Sequence, residues 1–176
     1  STHRGTLFPY TTLFRSVEAA SRVLMKADNV RFVMAGNGDM MDKMIRLAAS
    51  RNISDRFHFT GFMKGKQVYE ILRASDVYVM PSVSEPFGIS PLEAMQCGVP
   101  SIISKQSGCA EILDYAIKVD YWDIEALADA MYGLITYPTL HTFLRDEGLK
   151  EVNNIKWEYA GQKVRKIYDQ VLFGKQ

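Results

Sequence analysis

Histidine and cysteine are both scarce in this chain of 176 residues: three histidines, His3, His58 and His141, and two cysteines, Cys97 and Cys109. No histidine has a cysteine or a second histidine at ligand spacing, which argues against a metal centre. Two cysteines are too few to staple a small secreted scaffold, and a reducing compartment suits them better. An excess of one charge is lacking as well. Twenty-one Lys and Arg against 20 Asp and Glu leave a formal charge of +1, so bulk electrostatics offer no nucleic-acid surface. No apolar run approaches the ~18 residues that cross a bilayer, and the N-terminus lacks the pattern of a secretory signal. The cytoplasm is the expected location, with peripheral contact at a membrane surface left open.

What is present is a regular alternation of two periods. Helical spacing runs over 17–27, 39–50, 64–75 and 90–97, and strand patterns over 30–35, 56–60, 76–80, 100–104 and 116–120. A helical turn is expected over 109–114. From Asp123 onward the pattern is all helix, over 123–136, 139–153 and 157–173, with Asp123 and Thr139 as N-cap residues. Five strands separated by helices predict an α/β fold, a doubly wound parallel sheet covered on both faces, followed by extra C-terminal helices. The domain is expected to span 17–173. Residues 1–16 fit neither period, and LFPYTTLFRS resembles translated adapter read-through. The expectation is that this segment replaces the true upstream sequence, the alternative being a loosely packed tail.

The most informative stretch runs from Glu85 to Met95, EPFGISPLEAM. It follows the third strand and leads into a helix, at the carboxyl end where doubly wound sheets bind ligands. Ser90 is expected to cap that helix, Pro91 to occupy its first position, and Glu93 to complete a Ser-x-x-Glu capping box. The helix start offers free N–H groups and a positive dipole end, suited to a diphosphate. Gly88 allows the backbone to approach a ligand closely. Glu85 and Glu93 repel phosphate and are suited instead to hydroxyl groups on either side of it. Duller readings stand beside these: Glu93 as a capping acid only, Glu85 as a solvated loop acid, and Phe62 and Met63 as core. Gly36-Asn37-Gly38 is either a tight turn or a cleft wall, and lacks the third glycine of a dinucleotide fingerprint. His58, alternating with Phe57 and Phe59, reads as structural. The Met40, Met41 and Met44 patch reads as helix packing.

EPFGISPLEAMQCGVPSII closely resembles the Glu-x7-Glu signature of the retaining, group 1 (family four) glycosyltransferases with the GT-B fold. VRFVMAGNGDM, RFHFTGFM, ILRASDVYVMPS and SGCAEIL extend the resemblance from Val17 to Tyr168. It implies the C-terminal, nucleotide-sugar-binding half of such an enzyme. Glu85 would be the catalytic residue that meets the transferred sugar. The backbone of Phe87, Gly88 and Ile89 would hold sugar and diphosphate, and Glu93 the ribose hydroxyls. The Gly61-Phe62-Met63 turn would lie by the base, and Gly36, Asn37, Gly38, Ser107 and Gly108 would line the same cleft.

The resemblance also implies transfer from a nucleotide diphosphate sugar to an acceptor hydroxyl with retention, without a metal or other cofactor. An N-terminal acceptor domain is expected as the missing partner, together with a Gly-Arg…Lys-Gly segment ahead of Val17 whose cations neutralise the diphosphate. Lys64 and Lys105 lie nearby by topology only. The chain by itself is therefore expected to be inactive or nearly so. Competing readings are a non-catalytic nucleotide-sugar-binding subunit, a sugar-nucleotide epimerase and a nicotinamide dehydrogenase. The dehydrogenase predicts an acidic residue where His58-Phe59-Thr60 stands, and fold alone separates none of them.

Overall fold

The computed structural model describes residues 11–174. Five parallel strands alternate with helices: α1 (Thr11–Leu24), β1 (Phe32–Ala35), α2 (Met41–Ser50), β2 (Phe57–Gly61), α3 (Lys66–Arg73), β3 (Tyr78–Met80), α4 (Ile89–Gln96), β4 (Ser101–Ser104) and β5 (Ile117–Val119). Three helices close the chain, α5 (Ile124–Thr136), α6 (Pro138–Asn154) and α7 (Trp157–Phe173). The turn expected over 109–114 is a short 3-10 segment, Gly108–Glu111.

β4 carries the core. All four of its residues are buried, as befits a strand covered on both faces. Because successive side chains point oppositely, Ile102 joins a cluster with Ala19 and Val23 of α1 and Leu127 and Met131 of α5. Ile103 faces the other way, into Met95 of α4 and Val152 of α6. Each buried isoleucine contributes about 1.5–3 kcal/mol. α6 comes close to α4 at Gly148, where an added Cβ would lie 2.8 Å from Met95 Cε. Glu151 of the same helix accepts backbone N–H bonds from Asp114 (2.7 Å) and Tyr115 (3.2 Å), tying α6 to the entry of β5.

The strands are parallel, but the single five-stranded ladder expected from the sequence is divided. β1 pairs with β2, and β3–β4–β5 form a second block. Side-chain burial holds the blocks together instead: Phe32 of β1 and Val79 of β3 both pack on the cluster that contains Ile102. His58 is exposed between half-buried Phe57 and Phe59, whose rings stack 5.7 Å apart, as the alternation predicts. Met44 is buried, with Met40 packed beside it, in the cluster under α2.

α2 and α3 start two residues later than expected, at Met41 and Lys66, and three other helix starts depart from expectation. α1 begins at Thr11 rather than Val17, and its Leu13 packs on the cluster around Val17 and Met44. Of the segment set apart as anomalous, residues 11–16 are therefore helical, and 1–10 lie outside the described residues. α6 is capped by Tyr137 with Pro138 in its first turn, not by Thr139, because proline fixes the entry φ one residue earlier. α4 has Gly88, not Ser90, at its N-cap. Asp123 does cap α5, accepting from the Ala126 N–H at 2.9 Å. α7 leaves Tyr159 and Tyr168 exposed on its surface.

Candidate functional site

The residues singled out in the sequence fall at the carboxyl ends of the strands, in two groups. The first is built by β1 and β2. Their register shifts between Met34 and Ala35, so Ala35 pairs with Gly61 rather than Thr60. That irregularity re-aims the strand end, and Gly36 N–H then donates to Gly61 O at 2.9 Å. Gly36 (φ +129) and Gly61 (φ +70) both adopt backbone that side-chain-bearing residues avoid. Asn37 and Gly38 follow as exposed turn residues, and Met63 is half-buried. Phe62 is 67% exposed, so it is not core, and Lys64 Nζ stands 5.3 Å from its ring centre.

The second group joins the loop after β3 to the loop after β4. Glu85 bridges Ser107 in parallel register, Gly108 N–H donates to Glu85 O at 2.9 Å, and Cys109 N–H donates to Phe87 O at 2.7 Å. Ser104 Oγ adds a bond to Ser82 O at 2.5 Å. The two loops thus form one unit, with Glu85 half-buried within it. Cys109 lies beneath the loop. Burial first, then the Glu85 charge, pushes its thiol pKa up against an opposing hydrogen bond with Ser107. Gly88 is buried at φ +85, and a Cβ there would meet Met80 Cε at 2.8 Å and Glu85 Cγ at 3.2 Å. Phe87 and Ile89, its neighbours, are exposed.

The start of α4 corrects the capping expectation. The N-cap is Gly88, with no side-chain cap, so Pro91 occupies the third helical position rather than the first. Ser90 does not cap: Tyr78 donates to its Oγ at 2.7 Å, and Ser90 Oγ in turn reaches Met80 Sδ at 3.7 Å. A partner on β3 has claimed the hydroxyl that the box required. Glu93 is therefore relieved of the capping role and instead accepts from Tyr69 Oη of α3 at 3.4 Å. The first-turn amides of Ile89 and Ser90 have no carbonyl four residues back within the helix to bond, and Pro91 has no N–H to leave unmet.

The two cations suggested by topology are both engaged. Lys105 Nζ pairs with Asp120 at 2.8 Å, which holds that carboxyl below the usual range, and Lys64 sits over Phe62. A third cation escaped the sequence reading. The Arg15 guanidinium lies 5.1 Å from the Tyr121 ring centre, and its buried Nη1 has no hydrogen-bond partner among the described residues. The Tyr121 N–H donates to Gln106 Oε1 at 3.4 Å, next to Ser107, so Arg15 is linked to the second group through Tyr121 and Gln106. Its position inside a stretch with no recognised period hid it. Among the described residues no group of three or more His, Cys, Asp or Glu is arranged for a metal ion, and no helix is long and apolar enough to cross a membrane.

The family model described as glycosyl transferases group 1 matches residues 3–149. The chain belongs to the group 1 glycosyl transferases. Among similar members of this glycosyl transferase family is the 2-deoxystreptamine N-acetyl-D-glucosaminyltransferase of Niallia circulans, 30% identical over 139 residues, covering 77% of this chain and 36% of that protein. Another is the GDP-mannose-dependent alpha-(1-6)-phosphatidylinositol dimannoside mannosyltransferase of Mycobacterium tuberculosis, 30% identical over 142 residues, with 79% and 36% covered. The chain thus spans little more than a third of either relative's length. Among solved structures, Anabaena Alr3699/HepE in complex with UDP and glucose superposes with a TM-score of 0.81 at 17% identity, covering 94% of this chain and 47% of that one. The crystal structure of TarM gives 0.82 at 19% identity, with 94% and 34% covered. These place the glycosyl transferase chain in the GT-B, Rossmann-like fold.

Proposed function

We propose that this chain is the donor-binding half of a retaining glycosyltransferase that moves a sugar from a nucleotide diphosphate sugar to an acceptor hydroxyl. The observation that carries the reading is the arrangement at the start of α4. Gly88 opens the helix without a side-chain cap, Glu85 is fixed on one side by the Ser107–Gly108 loop, and Glu93 is free of capping on the other. A diphosphate placed against the Ile89 and Ser90 amides meets the positive end of the helix dipole. Glu85 then accepts hydroxyls of the transferred sugar, and Glu93 accepts those of the ribose. The Gly36 and Gly61 turns, tied by their backbone bond, wall the cleft on the base side, with Phe62 exposed above them.

Departure of the nucleoside diphosphate leaves developing negative charge that needs cations as well as amides. Arg15, linked to the Ser107 loop through Tyr121 and Gln106 and with a buried nitrogen that has no hydrogen-bond partner among the described residues, is the residue we assign to that task. The acceptor and the rest of the cleft belong to an N-terminal domain, so the isolated chain binds donor but transfers little. Relatives named for N-acetylglucosaminyl and for GDP-mannose-dependent transfer support a nucleotide-sugar donor while differing in its identity.

The test is isothermal titration of UDP, GDP and ADP and their sugars into the purified chain, with Glu85→Gln alongside. A nucleotide sugar should bind, and Glu85→Gln should weaken the sugar conjugate more than the bare diphosphate. Equal weakening of both would remove Glu85 from the sugar position.

A further inference from the structure

Tyr69 has no part in the donor site described so far, yet its hydroxyl donates to Glu93 Oε1 at 3.4 Å. Packing brings the two together. Leu72 of α3 is buried against Ala94 of α4 and Val99, with Val68 packed on the same cluster. Val68 and Leu72 stand four apart on one face, so their neighbour Tyr69 flanks that face. Glu93 directly precedes Ala94, so the contact that seats α3 on α4 also sets Tyr69 beside Glu93. The tyrosine is 40% exposed, so removing its hydroxyl leaves no buried orphan. Nor does the bond serve the helix end, since Gly88 caps α4.

We propose that Tyr69 is a positioning residue for ribose recognition, holding the Glu93 carboxylate so that its remaining lone pairs accept from the vicinal hydroxyls of a nucleoside diphosphate. This rests on the donor-site reading above. A carboxylate offers about four acceptor positions, and a single bond to one oxygen leaves the others for a diol while fixing the side chain's rotamer. An unheld glutamate would lose that freedom only on binding, at a cost in affinity. α3 also begins directly after the Gly61–Gly65 turn, so the segment that walls the base side carries the group that orients the ribose acid.

The experiment titrates UDP, GDP and ADP into the 176-residue chain by calorimetry and carries the tightest forward with its 2′-deoxy form. Tyr69→Phe should weaken the ribonucleotide roughly three- to tenfold, the span expected for one such bond. The 2′-deoxy form should lose much less, because the diol that the carboxylate was oriented for is gone. The melting temperature of unliganded Tyr69→Phe should match that of the unaltered chain, which separates positioning from folding. Glu93→Ala serves as the reference. If no nucleotide binds, or Glu93→Ala binds as tightly as the unaltered chain, the donor-site reading fails and this inference with it. If Glu93→Ala weakens binding while Tyr69→Phe leaves it unchanged, or weakens both sugar forms equally, Tyr69 has no positioning role.

Discussion

A Cβ built on Gly108 lies 2.8 Å from the carbonyl carbon of Pro86, closer still to its oxygen, and 3.1 Å from Phe87 Cα. Those atoms are backbone and cannot swing aside. Gly108→Ala must therefore separate the two loops that hold Glu85 in place. Overpacking of this kind costs about 1–3 kcal/mol, so the urea midpoint should fall while the slope holds. A variant with the midpoint of the unaltered chain would show that the loops part without strain.

Asp123 supplies a second, independent point on stability. Its carboxylate accepts the Ala126 N–H at the start of α5, the helix that covers Ile102. Asp123→Ala should lower stability by about 1 kcal/mol, and Asp123→Ser should recover most of it. Equal losses in both would place the effect elsewhere than in the cap.

Much of this fold is legible in sequence because one strand, β4, is buried throughout and another, β1, alternates between half-buried and exposed residues. Asp123 is legible for a different reason: its cap is a contact three residues away. The errors arise where distant residues decide. Nothing near Ser90 shows that the Tyr78 hydroxyl will engage it, and that long-range bond is what cancels the capping box. Arg15 was hidden because its partner, Tyr121, is remote in sequence and its own surroundings have no clear period. The division of the sheet is likewise a matter of pairing, which side-chain patterns do not report.

The two cysteines should differ in reactivity. Cys97 is partly exposed, whereas Cys109 is buried under the Glu85 loop with its thiol pKa raised, chiefly by burial. A thiol reagent at mildly alkaline pH should label Cys97 promptly and Cys109 only after unfolding. The raised value also has a sign. The unfolded chain releases the Cys109 proton more readily, so the contribution to stability holds below the unfolded thiol's pKa and declines above it. Prompt labelling of Cys109 in the folded chain would mean that the loop above it opens freely.

Arg15→Ala should weaken a nucleoside diphosphate by about tenfold and the nucleoside alone hardly at all, as expected for a charge-assisted contact to phosphate. Arg15→Lys should restore part of the loss. The readout is a titration of each ligand against each variant. Equal binding of the diphosphate by Arg15→Ala would leave the diphosphate charge to the helix amides alone.

The most direct test of the donor-site reading is thermal unfolding of the chain with UDP, GDP, ADP and their sugars, repeated on Glu93→Ala. A nucleotide at ~100 times its dissociation constant should stabilise the fold by roughly 2.7 kcal/mol, visible as a raised melting temperature. One base should give that shift in the unaltered chain, and Glu93→Ala should abolish it at the same concentration. A shift of the same size in Glu93→Ala, or none with any nucleotide, would contradict a nucleotide-sugar site at the start of α4.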